Sequence, residues 1–547
     1  MMNRFSRRYG LKLGAMLGAM AAAGNLVSVQ YVAAEPIGET DPEATPQVGG
    51  ELIVGAVELG DTLDPHKTGS AQVSTILRYV GDSLIAKDYD GNYVPSVAES
   101  WEISEDGLVY TFKIREGITF HDGTPLTAEE VKFSFDRVMN PETAAVTAGG
   151  LIGPMTETAV IDPMTFQFNL SEPFAPIMQF LTASNLSILS PTAVESMGEE
   201  FGRKPILTGQ YMVDEWREGD RIILKRNPNY AWAPPHLHQD PPAAFIETIT
   251  FQSIVEDAAR VAAFEAGEIH QSTLPAIDIP RFQDNPDFWL HNYQRQGIVT
   301  LAFNVTRTPF DNVDVRKALM SAVNKQDVVD AAVEGFGGEA FGFLSPAQPG
   351  YWEGMADYAP KFDPEAARAA LEAAGWTDSD GDGVLDKDGQ KFEFTALNLP
   401  NDSYGRAAQV VQAQFADIGV TMNIQQLEFA TVLEDVKASK HDAVFMGYTY
   451  SDPDVAFLLF DSTQAGAGIN LNQIKDPVLD DFIARGRAAT DIEARWAIYA
   501  DLQKYINDQG LFVPLWYDDY YVAFAKSLQG LNWHSDNFAI YYDAWFS

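Results

Sequence analysis

Residues 94–141, VPSVAESWEISEDGLVYTFKIREGITFHDGTPLTAEEVKFSFDRVMNP, combine the clearest strand, turn and helix signals in the chain. Within them, TFKIREGITF (residues 111–120) alternates apolar and polar residues around a Glu-Gly pair, which predicts a strand, a turn and a second strand. Thr127 and Glu130 have the spacing of a capping box, in which each side chain binds the other residue's backbone amide. A helix is therefore predicted to begin after Thr127 and to end at Asn140, before a proline.

The same helix pattern recurs along the chain. Ser190 and Asp363 each precede a proline that suits the first helical position, and Gly198 is placed to end the first of these helices. Residues 314–335 have helical apolar spacing, which predicts one long helix. Strand-like runs alternate with the helices: residues 51–57 and the segments FEFTALNL, VTMNIQQL and DAVFMGYTY. This alternation predicts an α/β fold.

The N-terminus has the layout of an export signal. Arg4, Arg7, Arg8 and Lys12 precede a charge-free stretch, residues 13–34, which ends in the small-residue sequence Val-Ala-Ala. The Ser-Arg-Arg-x-x-Leu-Lys order resembles the twin-arginine signal for export of folded proteins. We interpret residues 1–34 as a signal peptide, with an uncleaved anchor as the alternative, and residues 35–49 as an acidic Pro/Gly linker.

Composition excludes several classes of protein. The 547 residues include 37 Lys and Arg against 77 Asp and Glu, a net charge of −40, and no cysteine. Such a surface repels nucleic acid and anionic lipid, so we expect no nucleic-acid partner. Without cysteine there are no disulfides, no thiol catalysis and no lipid-attachment site, so we expect an unanchored periplasmic protein.

The sequence motifs favour a binding protein over an enzyme. The sequence contains no Gly-x-Ser-x-Gly elbow, phosphate-binding loop or His-Glu-x-x-His helix. His236 and His238 form a His-x-His pair that could bind zinc, but prolines interrupt the segment and no third ligand is indicated. These motifs therefore indicate no catalytic site, and we predict that no cofactor is required.

One acidic loop has the spacing of a calcium site. In DSDGDGVLDKDG (residues 378–389), Asp378, Asp380, Asp382 and Asp386 occupy positions 1, 3, 5 and 9 of a calcium-loop pattern, and Val384 could offer its carbonyl at position 7. Position 12 is glycine instead of the bidentate glutamate. The alternatives are an Asp/Gly hairpin turn alone and a hairpin that holds structural calcium.

Five ordered segments resemble the family-5 solute-binding proteins of ABC importers, which include peptide and nickel receptors. Residues 94–141 resemble the longest of the family's motifs. The other segments are TLDPHKTGSAQVSTILRYVGDSLI, GQYMVDEWREGDRIILKRNPNY, FNVTRTPFDNVDVRKALMSAVN, and SDPDVAFL followed by VPLWYDDYYV. The resemblance spans essentially the whole chain after the signal.

The resemblance implies a two-lobed periplasmic-binding-protein fold of the cluster C type, with a ligand enclosed between the lobes. Lobe one is expected to cover residues 50–297, including an extra subdomain, and lobe two residues 298–516. Residues 517–547 are expected to return to lobe one. The implied function is that of an exported, monomeric receptor that delivers a small solute to an inner-membrane permease with its ATPase subunits.

The ligand class stays open between a peptide and an oligosaccharide, with a secreted enzyme on the same fold as a further alternative. Peptide-binding relatives carry an aspartate a few residues before the Asp-Pro of lobe two, and it pairs with the α-ammonium of the ligand. The corresponding segment here is shorter and lacks that acid, which weakens a strict dipeptide assignment. Tyr351, Trp352, Tyr448 and Tyr450 could stack on sugars. The resemblance implies these ligand contacts: Thr68, Ser70, Asn398, Asn401, Tyr448, Tyr450, Ser451, Asp452 and Asp454. Asp452, if it pairs with a ligand ammonium, is expected to affect affinity more than melting.

Overall fold

The computed structural model describes residues 37–38, 45–238 and 243–547. The predicted signal peptide and part of the predicted linker lie outside these residues. Among the helices that the structure describes, none is both long and apolar enough to cross a membrane.

In the described part of the chain, the strands β1 to β24 are, in order, Glu51–Ala56, Ile85–Lys87, Tyr93–Pro95, Ala98–Ile103, Val109–Ile114, Met155–Asp162, Thr165–Leu170, Tyr211–Arg217, Arg221–Arg226, Thr248–Ser253, Gln271–Leu274, Phe288–Gln294, Val299–Phe303, Gly337–Glu339, Asp386–Lys387, Gln390–Lys391, Glu393–Asn398, Thr421–Gln426, Ala443–Gly447, Phe512–Ala525, Leu528–Gln529, Asn532–His534, Phe538–Ile540 and Trp545–Phe546.

The α-helices α1 to α16 of the same residues are Ala71–Val80, Ala128–Met139, Val146–Leu151, Ile177–Phe180, Pro191–Met197, Asp257–Glu265, Ile279–Phe282, Val313–Ser321, Lys325–Val333, Met355–Tyr358, Pro364–Ala373, Asp402–Asp417, Phe429–Lys437, Val455–Phe460, Pro477–Ala488 and Ile492–Asp508. The elements form the predicted α/β fold.

In the described residues, lobe one contains two larger sheets besides the two-stranded pairs β2-β3, β21-β24 and β22-β23, and the first larger sheet is continuous through β20 with the sheet of lobe two. In the first, β1 pairs in parallel with β10, β10 pairs antiparallel with β9, and β9 pairs antiparallel with β8. The second is an antiparallel sheet in the order β4-β5-β7-β6, against which α2 packs. Stacked aromatic rings join α2 to this sheet: the ring centroids of Phe135 in α2 and Phe166 in β7 lie 5.3 Å apart. This second sheet lies within the part of the chain predicted to include the extra subdomain, which stays a prediction.

The sheet of lobe two has a buried core on each face. Along β19, Ala443 and Phe445 contribute to one core, whereas Val444 and Met446 contribute to the other. Because successive side chains of a strand point to opposite faces, an uninterrupted apolar strand requires cover on both sides. Helices α8, α9 and α12 supply residues to the first core, and α14, α15 and α16 to the second.

The lobes are joined by two chain crossings. The first runs from the end of β12, Gln294, to the start of β13, Val299. The second lies within β20: its first half pairs with β13 as far as Trp516, and its second half pairs with β12 from Asp519 onward. One continuous strand thus belongs to both lobes, so a change in the angle between them must bend the backbone here. The lobe bounds given above stay predictions.

Most predicted element ends are confirmed. Thr127 and Glu130 form both bonds of the capping box of α2, and Ser190 and Asp363 cap α5 and α11. Two predictions are wrong. Residues 314–335 form two helices because the Asn324 side chain accepts the Gln326 amide and starts α9. After β5, the expected second strand is only an isolated bridge at Thr119.

Candidate functional site: the contact between the lobes

The loop that follows β19, residues 448–454, belongs to lobe two and lies beside the first crossing. The backbone amides of Tyr448 and Tyr450 donate to the carbonyls of Ile298 and Gln296, at 3.2 and 2.8 Å. A Cβ atom on Gly297 would lie 1.8 Å from the Tyr448 carbonyl oxygen. Only glycine permits this approach, so the crossing and the loop are held together without a side chain between them.

Lobe one meets this loop through the segment around α4. The amide of Gln179 lies 3.3 Å from the hydroxyl of Ser451, and the Phe180 ring packs edge-on against Tyr450 at 6.1 Å. Tyr450 packs against buried residues of both lobes. The sequence predicted Tyr450 and Ser451 on the lobe-two side, whereas Gln179 and Phe180 were missed because no motif or periodic pattern sets them apart.

A second contact between the lobes lies beside the first. The amide of Ala175 donates to the carbonyl of Arg487 at 2.7 Å. The Arg487 guanidinium lies over two rings, 5.0 Å from the centroid of Phe174 in lobe one and 4.0 Å from that of Phe457 in lobe two. The two lobes therefore touch at a second defined surface.

Asp452 is occupied by a partner within lobe two. Its two carboxylate oxygens accept from the two terminal nitrogens of Arg495 in α16, at 2.6 and 2.9 Å, and both side chains are about 5% exposed or less. Burial opposes the charge of Arg495, but the attraction of Asp452 and its hydrogen bonds raise the pKa of the guanidinium. The structure therefore gives this carboxylate a structural partner instead of a free position for a ligand ammonium.

Asp454 is also buried but less well paired. Its Oδ1 lies 3.1 Å from Nε of Arg487, yet neither atom makes a hydrogen bond to any described residue. Burial raises the pKa of Asp454 to about 7, against the opposing effect of Arg487. The loop therefore carries two buried acids, of which one is paired with an arginine through two hydrogen bonds and the other has a raised pKa.

The other predicted ligand contacts serve the backbone in this conformation. Thr68 is fully buried and its hydroxyl accepts the Ser70 amide, while the Ser70 hydroxyl caps α1. Asn401 caps α12, and the 2%-exposed Asn398 accepts the Leu399 amide. The Tyr448 hydroxyl donates to the Phe343 carbonyl. Ser70, Asn398 and Asn401 lie at the ends of helices or strands, where such side chains commonly bind the backbone. The ligand roles of all these residues stay predictions.

Two further side chains lie at the crossings. Arg295 donates to the Thr449 hydroxyl and to the Asp518 carboxylate, each at 2.9 Å, and so ties the lobe-two loop to both crossings. The Tyr404 ring of α12 packs edge-on against Trp516 at 5.7 Å. Neither residue belongs to a local motif, because their proximity arises only when distant strands pair.

The acidic loop forms a hairpin with its carboxylates close together. Ligand oxygens of Asp378, Asp380 and Asp382 lie within 4.8 Å of one another. The ammonium of Lys391 lies 2.7 Å from Asp380 and 2.9 Å from Asp382. Asp386 is turned toward Ser379, whose amide and hydroxyl donate to it. A cation there would have to displace Lys391, and the calcium site with its Val384 carbonyl stays a prediction.

The histidine pair is not arranged as a metal site. His238 binds the Asp543 carboxylate, and His236 packs edge-on against Tyr89. Among the residues described, the only group of three metal-ligating side chains found is the one in the acidic loop.

Comparison with known proteins places this architecture in a family. The family model "Bacterial extracellular solute-binding proteins, family 5 Middle" matches residues 92–468. The dipeptide-binding protein of Escherichia coli K12 is 29% identical over 95% of both chains. The oligopeptide-binding protein AppA of Bacillus subtilis 168 is 28% identical over 89% of this chain and 90% of that protein. The structure of HbpA2 from Haemophilus parasuis aligns with a TM-score of 0.79 at 24% identity, covering 91% of this chain and 100% of that one.

Proposed function

From the premise that the chain belongs to the bacterial extracellular solute-binding proteins of family 5, we propose that it captures peptides for an ABC importer. The receptor works as a monomer outside the inner membrane and hands its ligand to a permease driven by ATPase subunits. It acts by binding and releases its ligand unchanged.

The contact between the lobes is the observation that carries this proposal. In the residues that the structure describes, the lobes have separate cores, are joined by two crossings, and touch at Tyr450 and at the Ala175–Arg487 hydrogen bond. A ligand that bridges the two walls gains its full set of contacts only when they close. Binding therefore shifts the population of the protein toward the closed state.

A peptide is favoured over an oligosaccharide. The two curated relatives named above are a dipeptide-binding and an oligopeptide-binding protein. Two of the four aromatic side chains that could stack on sugars are also engaged: the ammonium of Lys504 lies 4.4 Å from the Trp352 ring centroid, and Phe180 packs against Tyr450. Because sugar stacking needs a free ring face, these contacts support peptide recognition.

Binding of the purified protein to two ligand panels tests the proposal. Native mass spectrometry would first identify any ligand retained from the cell, and calorimetry would then compare peptides with cello- and xylo-oligosaccharides. We expect heat from peptides alone. Binding of sugars without peptides would overturn the peptide assignment, and loss of a ligand with the appearance of products would indicate an enzyme.

A pair of tyrosine variants tests where the peptide binds. Tyr450→Ala removes the ring that lies between the lobes, so we expect at least tenfold weaker peptide binding. Tyr358→Ala is the matched control, because Tyr358 is 42% exposed on lobe two and bonds Asp508 there. Equal peptide affinity in the two variants would place the ligand elsewhere.

A further inference from the structure

One segment of lobe one takes part in both contacts between the lobes. This segment, residues 173–180, follows β7 in the chain. Ala175 donates its amide hydrogen bond to the carbonyl of Arg487, and Phe180 packs against the loop that follows β19. The ring centroids of Phe174 and Phe180 lie 5.9 Å apart, so the two contacts are coupled through packed side chains. Since the segment lies outside both crossings, opening of the lobes would separate it from lobe two.

The guanidinium of Arg487 lies between aromatic rings of the two lobes. It is 5.0 Å from the ring centroid of Phe174 in lobe one and 4.0 Å from that of Phe457 in lobe two. A cation over the face of a ring is attracted by the ring, more strongly where water is excluded. Nε of Arg487 is buried and makes no hydrogen bond to any described residue. The Phe174 ring is therefore a partner that this cation has only while the lobes touch.

An acidic group of lobe two also lies beside this cation. Oδ1 of Asp454 is 3.1 Å from Nε of Arg487, but the two atoms make no hydrogen bond. Because Asp454, Arg487 and Phe457 all belong to lobe two, their proximity to one another does not depend on the angle between the lobes. The interaction that depends on closure is the one between Arg487 and Phe174.

The lobe-one side of this contact is held in place by lobe one itself. The Phe174 ring covers Gly153, where a Cβ atom would lie 2.4 Å from the ring. The ring therefore does not have to be ordered when the lobes meet, which lowers the entropic cost of the contact. The turn between β4 and β5 reaches the same edge of lobe two: a Cβ atom on Gly107 would lie 3.4 Å from the Thr490 methyl group.

We propose that Arg487 and Phe174 form a latch, a contact that holds the lobes closed whatever ligand is bound. Arg487 is then a positioning residue for ligand binding, because it acts on closure instead of on the ligand. The apparent affinity of a ligand falls in proportion to the fraction of the protein in the binding-competent state. Removing the latch should therefore weaken every ligand by the same factor. The latch adds control of closure to the proposed function, on which only the peptide measurements rest.

Distances between labels on the two lobes measure closure without any ligand. The chain contains no cysteine, so Ile161→Cys in β6 and Phe429→Cys in α13 supply the only two thiols for spin labels. Both side chains are more than half exposed, at 57% and 54%. Electron paramagnetic resonance on the full-length protein then gives the distribution of distances between the lobes. Arg487→Met and Phe174→Leu should each lower the fraction of molecules at the distance that the closed lobes have in this structure.

Calorimetry with a dipeptide and with a longer peptide provides the second measurement. Each single variant should weaken both peptides by the same factor, about threefold or more. The double variant should weaken them no more than Arg487→Met alone, because the two side chains form one interaction. If Arg487→Met does not fold, Arg487→Lys replaces it, since lysine keeps the charge but loses the planar group that stacks on the rings. Arg487→Lys should also weaken both peptides equally.

Arg485→Met is the matched control. Arg485 belongs to the same helix as Arg487 and also lies over a ring, 5.4 Å from the centroid of Phe482, but it pairs with Asp481 within lobe two. This variant should change neither the distances nor the affinities, and an effect equal to that of Arg487→Met would overturn the proposal.

Two other outcomes would also overturn the latch. One is unchanged distances together with unchanged affinities in both Arg487→Met and Phe174→Leu. The other is a loss confined to one of the two peptides, which would make Arg487 a ligand contact. If no peptide binds to the wild type, the proposed function fails, whereas the label distances in the unliganded protein still decide whether the latch exists.

Discussion

Replacing Asp452 by asparagine should destabilise the protein strongly. The carboxylate and Arg495 form a two-pronged, almost fully buried pair at 2.6 and 2.9 Å. Removing one member of such a pair leaves an uncompensated buried charge, which typically costs 3–5 kcal/mol. Because asparagine can still accept one hydrogen bond, we expect the lower end, about 3 kcal/mol. A small change in melting was expected from the sequence only if Asp452 pairs with a ligand ammonium, and the Arg495 pair predicts the opposite.

The neighbouring acid provides a matched control. Asp454 is as buried as Asp452, at 4% exposure, and lies two residues away, but burial raises its pKa to about 7. At pH 6 it is mostly protonated, so Asp454→Asn should change the free energy of unfolding far less than Asp452→Asn.

Urea and thermal unfolding at pH 6 measure both variants. For an unfolding unit of roughly 150–250 residues, 3 kcal/mol corresponds to a loss of about 6–12 °C in Tm. Calorimetry with a bound peptide provides the second readout. If Asp452→Asn melts like the wild type but loses peptide affinity tenfold, the carboxylate is a ligand anchor and the structural reasoning is refuted.

Three other perturbations have defined outcomes. The pKa of Asp454 is raised to about 7 in the folded state, whereas the unfolded chain releases this proton near pH 4, so the free energy of unfolding should fall between about pH 4 and 7. Asp454→Asn should flatten this dependence of the free energy of unfolding on pH, and an unchanged slope would contradict the assignment. Millimolar calcium should raise the Tm of Lys391→Met more than that of the wild type, since the ammonium no longer competes, and should leave Asp380→Ala unchanged; equal melting of all three in chelator and in calcium would leave only the hairpin. For export, Arg7→Lys with Arg8→Lys should hold the precursor in the cytoplasm, as fractionation and immunoblotting would show, whereas normal export would exclude the twin-arginine route.

Local chemistry in the sequence determined the element ends and, by resemblance, the family. The capping box at Thr127, the Ser190 cap and the Asp363 cap each depend on residues within a few positions of one another, so the sequence alone predicts them. The α/β alternation follows from apolar periodicity for the same reason. The prediction of one long helix over residues 314–335 is wrong. The apolar periodicity continues across Asn324, but the side chain of Asn324 caps the start of a second helix there.

The tertiary structure alone decided which polar groups are free. Asp452 looked available in the sequence, but Arg495, 43 positions later, reaches it from α16. No local pattern places Arg78 near the C-terminal hairpin, yet its guanidinium lies 4.3 Å from the ring centroid of Phe538, some 460 positions later. Whether a charge is buried, and whether it has a partner, depends on contacts between distant segments, and no local pattern in the chain encodes those contacts.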